Sequence, residues 1–248
     1  MAFPNAISGS YGYEKVESSS QKHALGTKMV FVDGREYSYA ENGGSAIAEG
    51  LLVAAEAPEA QHDEDLAVAT AAAGSSSITV TLGSTAAAKD LYKDGYLFLN
   101  KPTATSTVHE FYKIKSHPQA AAAATLELTL YDNDKLHTAI TNGTDTAGLL
   151  KSPYKDIVVA PAAVAGRLVG LTVNNFTASY YGWVQTAGLA VGKIDGTPAF
   201  GTLVGASSNH AGQMLAVGAD TTPAIARVHG VAATTNDEFH TVWLQNLN

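Results

Sequence analysis

The chain has 248 residues, enough for one or two domains and a sizeable core. Fifteen Lys and Arg against 23 Asp and Glu give a net charge of −8. That argues against a duplex nucleic-acid binder, which would carry a basic stripe. There is no Cys, so disulfides, thiolate catalysis and Cys-ligated zinc are excluded.

Only 15% of residues are charged, while Ala, Gly, Ser and Thr fill about 43% of positions, far from the composition of an average catalytic domain. The longest uncharged run, Leu168 to Gly192, contains Asn174, Asn175, Gln185 and many Thr, Ser and Gly residues. It is too polar for lipid, so no membrane span is expected. Met1 to Ser20 lacks a basic n-region and an apolar h-region, and no secretory signal is expected.

Residues 1–27 are polar, rich in Ser, Gly and Tyr, and without helical or strand period. They read as an extended N-terminal arm that is ordered against a neighbouring subunit, with Phe3, Tyr11 and Tyr13 as anchors. A floppy terminus is the plainer alternative.

From Lys28 the chain reads as short strands. Met29 to Val32 and Arg35 to Tyr39 flank Asp33-Gly34, a hairpin signal of the type I′ kind. Comparable dipeptides stand at Asn42-Gly43, Asp94-Gly95, Asn142-Gly143 and Asp195-Gly196. Ile78 to Leu82 and Leu126 to Tyr131 alternate apolar and polar residues, so one face of each should line a core. Tyr96 to Leu99 is apolar on both faces and predicts a strand buried on two sides. In Glu110 to Lys115, Phe111 and Lys113 oppose Tyr112 and Ile114. Thr85 to Tyr92 and Leu136 to Ile140 are candidates for short helices.

After Pro161 the composition shifts. Residues 164–248 hold seven charged side chains: Arg167, Lys193, Asp195, Asp220, Arg227, Asp237 and Glu238. Strand candidates at Leu168–Val173, Tyr180–Thr186, Leu189–Ile194, Gly201–Val204, Met214–Val217, Ala224–Val231 and His240–Leu244 suggest a small antiparallel barrel or sandwich. The expected fold is mainly β: antiparallel sandwich or barrel domains, an extended N-terminal arm and minor helix. The expected division is an arm at 1–27, a β-rich domain at 28–163 and a low-charge barrel or sandwich at 164–248. A charge-poor surface of small residues favours packing against another copy or a partner over life as a free monomer.

No Gly-x-Ser-x-Gly elbow, Walker loop or dinucleotide fingerprint is present. The eight His residues form no zinc spacing, so structural or surface roles are the stronger reading. Asp132-x-Asp134 opens like a calcium loop, but His137 and Gly143 stand where the EF-hand needs Gly and Glu, leaving only an irregular cation site there. His62-Asp63-Glu64-Asp65 lies in a stretch, Glu36 to Ala88, with eight acids and no Lys or Arg. It reads as a solvated acidic loop, with a cation site or a basic-partner patch as alternatives. Arg35, Arg167 and Arg227 are long cations amid small and aromatic residues, a setting common in interface anchors.

The order Gly34-Arg35-Glu36-Tyr37-Ser38-Tyr39-Ala40, Ile78-Thr79-Val80-Thr81-Leu82-Gly83, Asp90 to Leu99, Tyr112 to Pro118, Leu128 to Asp132 and Ser152 to Val159 resembles auxiliary (cement or decoration) proteins on the heads of tailed bacteriophages. Tyr181-Gly182-Trp183-Val184-Gln185 suits that group as well. The resemblance implies a virion protein on the head exterior that binds the major capsid protein and itself, as a homotrimer or other homo-oligomer, with no cofactor or enzymatic activity and with no nucleic-acid or membrane partner. Arg35, Tyr37, Tyr39, Trp183 and Arg227 then become candidate interface residues. Two other classes stay open: a receptor- or glycan-binding fibre or tail protein using Tyr180, Tyr181 and Trp183 as a platform, and a hydrolase or lyase on a β scaffold.

Overall fold

The computed structural model describes residues 6–102, 110–162, 166–218, 223–231 and 235–247. The protein is mainly β. The described strands are, in chain order, β1 Ala6–Ser8, β2 Lys28–Val30, β3 Glu36–Glu41, β4 Leu52–Ala54, β5 Leu66–Ala67, β6 Ser77–Thr81, β7 Tyr96–Asn100, β8 Phe111–Ser116, β9 Thr125–Leu130, β10 Thr146–Leu150, β11 Val158–Val159, β12 Leu168–Thr172, β13 Tyr181–Asp195, β14 Leu203–Ala206, β15 Met214–Ala216, β16 Ala226–Val228 and β17 Phe239–Leu244. Among the described residues the helical content is one 3-10 turn at Tyr13–Lys15. The expected helices do not form. Thr85–Tyr92 is a series of turns in which Ala87 bridges to Ala120, and Ile140 in the second candidate bridges to Ala71.

The chain forms two units, 57–152 and the combination of 1–56 with 153–248. The expected boundary at 163 is therefore not a fold boundary. The charge density falls there, but β4 and β12, one on each side of it, are hydrogen-bonded neighbours. Backbone pairing, not surface composition, decides which segments form one core.

In unit 57–152 the strands run β5-β10-β7-β8-β9-β6, all antiparallel. A bridge between Val68 and Val80 brings the last strand back to the first and closes the ring. Strict alternation fills it: Ile78 and Val80, then Leu126, Leu128 and Leu130, point inward. Tyr112 and Ile114 join them, while Phe111 stays exposed. Leu97 and Leu99 also point inward, but Tyr96 is only half-buried and stacks on Phe111 with 4.7 Å between ring centroids. The two-sided burial expected for this strand is thus replaced by an aromatic pair on its outer face.

The other unit turns on β13, fifteen residues long. Its first half pairs with β3 and β12, its second half with β17 and β15. Between the halves the register slips at Gln185 to Ala187. The Gln185 side chain donates to the carbonyls of Ala187 (3.1 Å) and Leu189 (2.8 Å), satisfying acceptors that the bulge removes from the ladder. Gly188 follows at φ +86°, where an added Cβ would lie 2.8 Å from the Gly34 carbonyl oxygen, so neither the backbone angle nor the space admits a side chain.

Two rings share this strand. The pairings β13–β15, β15–β14, β14–β16, β16–β17 and β17–β13 close a five-stranded barrel. The pairings β3–β13, β13–β12, β12–β4 and β4–β11 close through the Asn42–Ile157 bridge. β4 and β12 line both cores. Val53 and Val169 belong to one cluster and Leu52, Ala54 and Leu171 to the other, so β4 is buried throughout. Strand pairings here are antiparallel except β1–β2 and β13–β15, and the closing Asn42–Ile157 bridge is parallel. The β2–β3 hairpin expected around Asp33-Gly34 is present, but Gly34 alone of the two has positive φ. None of the five dipeptides has positive φ at both residues, so none is the I′ turn anticipated.

Candidate functional site

The arm is built into the unit it begins. β1 pairs in parallel with β2, and Ser18 and Tyr181 exchange backbone hydrogen bonds at 2.9 and 2.8 Å. Tyr13 lies 6.1 Å from Trp183, and its hydroxyl is 3.3 Å from His23 Nε2. His23 in turn sits 5.1 Å from Tyr39 and 5.4 Å from Trp183, and Tyr39 meets Trp183 edge-on at 5.0 Å. Such tilted and edge-to-face pairs are the preferred geometry of ring quadrupoles.

Arg35 completes the clamp. Its guanidinium lies 4.9 Å from the Phe31 ring centre and 5.6 Å from that of Tyr11, and Nη1 donates to the Tyr37 hydroxyl at 3.0 Å. Asp33 accepts from Nε at 2.9 Å, and buried Glu14 stands 3.8 Å from Nη1. Burial pushes the Tyr37 phenol up to about 12, with Arg35 opposing the shift. At Asp33 slight burial pushes up, but the hydrogen bonds from Arg35 win and hold the carboxyl below its usual range.

These contacts revise the expected interface. Tyr37, Tyr39 and Trp183 are buried; with Arg35 they fix residues 6–27 to their own unit. Tyr11 and Tyr13 remain partly exposed but already pack on Phe31 and Trp183. The described part of the arm thus packs on its own unit. Phe3 lies outside the described residues. With Trp183 buried, the platform expected from Tyr180, Tyr181 and Trp183 is not available either.

Arg227 is different. It lies on the outside of the five-stranded barrel, where Leu189, Trp243, Arg227 and Leu203 stand in one row across β13, β17, β16 and β14. Trp243 is 49% exposed and Phe200 69%. Val191 and Phe239 are exposed beside them. His229 joins Phe200 (6.3 Å) to Trp243 (6.4 Å). Arg227 Nη1 donates to the Gly201 carbonyl at 2.5 Å, which holds the guanidinium at the Phe200 end of the patch. β14, β16 and β17 contain no carboxylate. A connected apolar patch of this kind marks an interaction surface. Of its members, Arg227 is the one that the sequence pattern singles out. Phe239-His-Thr-Val-Trp-Leu is apolar at both parities, which does signal a strand with an apolar outer face, but does not distinguish it from a doubly buried one.

Asp195, Ser207 and His210 converge nearby in the chain. Ser207 Oγ donates to Asp195 Oδ2 at 2.6 Å, while His210 Nδ1 is 3.2 Å from the same oxygen. Ser207 Oγ also accepts the backbone N–H groups of Asn209 and His210, both at 3.0 Å. The hydroxyl caps a turn and the His contacts the acid rather than the Ser, so the order needed for nucleophilic catalysis is missing. Burial pushes the Asp195 carboxyl up, but hydrogen bonds from Ser207, His210 and Asn209 win and hold it below its usual range.

In the other unit His62 is fully buried, not part of a solvated loop. Its Nε2 donates to the Thr85 carbonyl at 3.0 Å, leaving Nδ1 to accept from the Tyr92 hydroxyl at 2.5 Å. Glu64 and Asp65 face solvent as expected. Asp132 pairs with Lys115 at 2.6 Å, and Asp134 accepts the Lys113 backbone N–H at 2.7 Å. Among the described residues no three His, Cys, Asp or Glu side chains are grouped to hold a metal ion. No described helix is long and apolar enough to cross a membrane. Comparison with protein-family models, curated proteins and solved structures finds no match.

Proposed function

We propose that this chain is a structural protein of a tailed-phage head that sits on the outer shell, bridges neighbouring major capsid subunits and works as a homo-oligomer without enzymatic activity. The observation that carries this reading is the exposed apolar patch on the five-stranded barrel, whose strands β14, β16 and β17 hold no carboxylate, in a chain of net charge −8. A patch of this kind suits protein docking. The rings of Phe200, His229 and Trp243 are tilted by 54° and 51° to their neighbours, which does not suit the flat platform that the receptor- or glycan-binding alternative requires.

The mechanism needs no reacting groups. A protein that binds only the assembled shell adds its binding free energy to that state alone, and attachment at several points multiplies the effect. Closed rings support such a role, because they leave few free strand edges to pair wrongly. The test compares DNA retention by heated particles with and without this protein, and locates it by immunogold labelling. The expected result is earlier DNA loss without it and label over the head. Equal retention with label at the tail tip replaces the reading with attachment.

A further inference from the structure

We infer that Asn142-Gly143 is a site of spontaneous covalent modification, where the Asn142 amide is converted to a carboxylate, and that the fold protects the second Asn-Gly pair, Asn42-Gly43, from the same reaction. The inference is independent of the capsid reading.

Asn is a thermolabile residue, and its lability depends on the backbone nitrogen that follows it. In this reaction Gly143 N gives up its proton to hydroxide and attacks Asn142 Cγ. The N–Cγ bond forms and closes a cyclic imide. The Cγ–Nδ2 bond breaks, and the amide nitrogen takes a proton from water and leaves as ammonia, which regenerates the hydroxide. Water then opens the imide at either carbonyl. Opening at Cγ gives aspartate at position 142; opening at the backbone carbonyl gives isoaspartate. No oxidant or reductant takes part. Glycine in the following position favours the closure, because it has no Cβ in the way and its backbone reaches angles closed to other residues.

The sequence holds five Asn-Gly or Asp-Gly pairs, and the glycine nitrogen sorts them. Gly34 N donates to the Phe31 carbonyl at 3.1 Å, Gly43 N to that of Ile157 at 3.0 Å, Gly95 N to that of Tyr92 at 2.9 Å, and Gly196 N to Asn236 Oδ1 at 2.5 Å. Gly143 N makes no such bond among the described residues. The three Asp-Gly pairs are further slowed because an ionised carboxylate resists attack by an anionic nitrogen.

The two Asn-Gly pairs also differ in their surroundings. Thr141, Asn142, Gly143 and Thr144 are all exposed, and a Cβ added to Gly143 would meet nothing within 4 Å. Among the described side-chain hydrogen bonds Asn142 makes one, from Nδ2 to the Val68 carbonyl at 2.9 Å, which water at the surface can replace at small cost. Asn42 is 1% exposed. Its Nδ2 donates to the carbonyls of Ser45, Phe176 and Thr177 at 3.0, 2.9 and 3.0 Å. A Cβ on Gly43 would lie 3.1 Å from the Ile157 carbonyl oxygen, so there is no room for the imide to form. Conversion at Asn142 also alters the small ring. Val68 bridges to Val80 at the closure of that ring, and a carboxylate at position 142 has no N–H to give its carbonyl.

The test incubates the full chain at mildly alkaline pH, folded in one arm and unfolded in guanidinium in the other. Aliquots are digested and read by mass spectrometry for loss of the amide, and by isoaspartate methyltransferase for the rearranged product. In the folded arm position 142 is expected to convert on the order of a hundredfold faster than position 42, which reacts only through local opening of the chain. In the unfolded arm the two positions should convert at similar rates, which makes the difference a property of the fold. Asn142→Asp marks where the acidic product elutes on ion exchange, and Asn142→Gln should no longer form it. Equal rates at the two positions in the folded arm overturn the inference. So does a folded chain that keeps Asn142 intact while the unfolded chain reacts at both positions, or an Asn142→Gln variant that still yields the acidic form.

Discussion

Arg35 and Arg227 make an instructive pair. Each lies on or next to a strand, beside aromatic residues, in a chain short of charge. Around Arg35 the chain returns twice, bringing Tyr11 and Glu14 from the arm and Phe31 from the hairpin. Around Arg227 the loop at Gly201 supplies one carbonyl, and the adjoining rings of Trp243 and Phe200 stay in water. The same residue types therefore form an internal clamp in one place and an outward patch in the other. What separates them is whether a further segment covers the strand, a property of topology that no single strand sequence holds.

Trp183 and Trp243 give the largest expected contrast. Trp183→Ala removes a buried ring that touches Tyr13, His23 and Tyr39, and should cost about 3–5 kcal/mol, the usual range for a large aromatic lost from a core. Chemical denaturation measures it, and limited proteolysis should now cut within residues 6–27. A loss below about 1 kcal/mol, within the range of ordinary surface substitutions, would show that the clamp does not hold the arm.

The clamp also explains which parts of the fold the sequence disclosed. Strands with strict alternation, such as Ile78 to Thr81 and Leu126 to Leu130, announced both their existence and their inner face, because one side of each meets water. All seven strand candidates after residue 164 correspond to strands, two of them fused into β13. The small barrel was likewise legible. The arm was not, since β1 is three residues long and stands only through β2. The 163 boundary misled because surface charge and chain pairing are separate properties. The patch was legible at Arg227 alone: a strand apolar at both parities, like β17, looks the same whether its outer face is covered or open.

A second test concerns the turn at Asp195. Its carboxyl is held low in the fold, so the unfolded chain takes up its proton first as pH falls. The stability it contributes is present above about pH 3.8, the ordinary value, and lost as pH falls through the lower folded value. Asp195→Ala should cost about 2 kcal/mol at pH 7, for lost charge-assisted hydrogen bonds from Ser207 and Asn209. The difference from wild type should shrink as pH falls below 3.8. A pH-independent difference would reject this account.

Tyr37 gives an alkaline counterpart inside the clamp. Its phenol is raised to about 12 from 10.0, so the folded state keeps a proton that the unfolded chain releases. That stability is present below pH 10 and fades as pH rises toward about 12. Tyr37→Phe should make the alkaline slope shallower by about 1.4 kcal/mol per pH unit, one proton's worth. Urea melts at pH 9 and pH 11 measure it, and an unchanged slope would mean that the phenol ionises freely in the fold.

The smallest effect is the sharpest test of the contrast. Arg227→Ala and Trp243→Ala remove exposed side chains, and Arg227 donates to the Gly201 carbonyl alone among the described side-chain hydrogen bonds. For the monomer each should change folding stability by no more than about 0.5 kcal/mol, as surface substitutions do. Arg35→Ala, by comparison, leaves Glu14 buried without its cation and uncovers Phe31 and Tyr37, and should cost about 1–3 kcal/mol. The comparison must be made at protein concentrations low enough to keep wild type monomeric, because binding to a second copy would add to apparent stability by mass action. If Trp243→Ala under those conditions destabilises as much as Trp183→Ala, then Trp243 supports its own barrel, and the distinction between a covered and an open ring cluster fails.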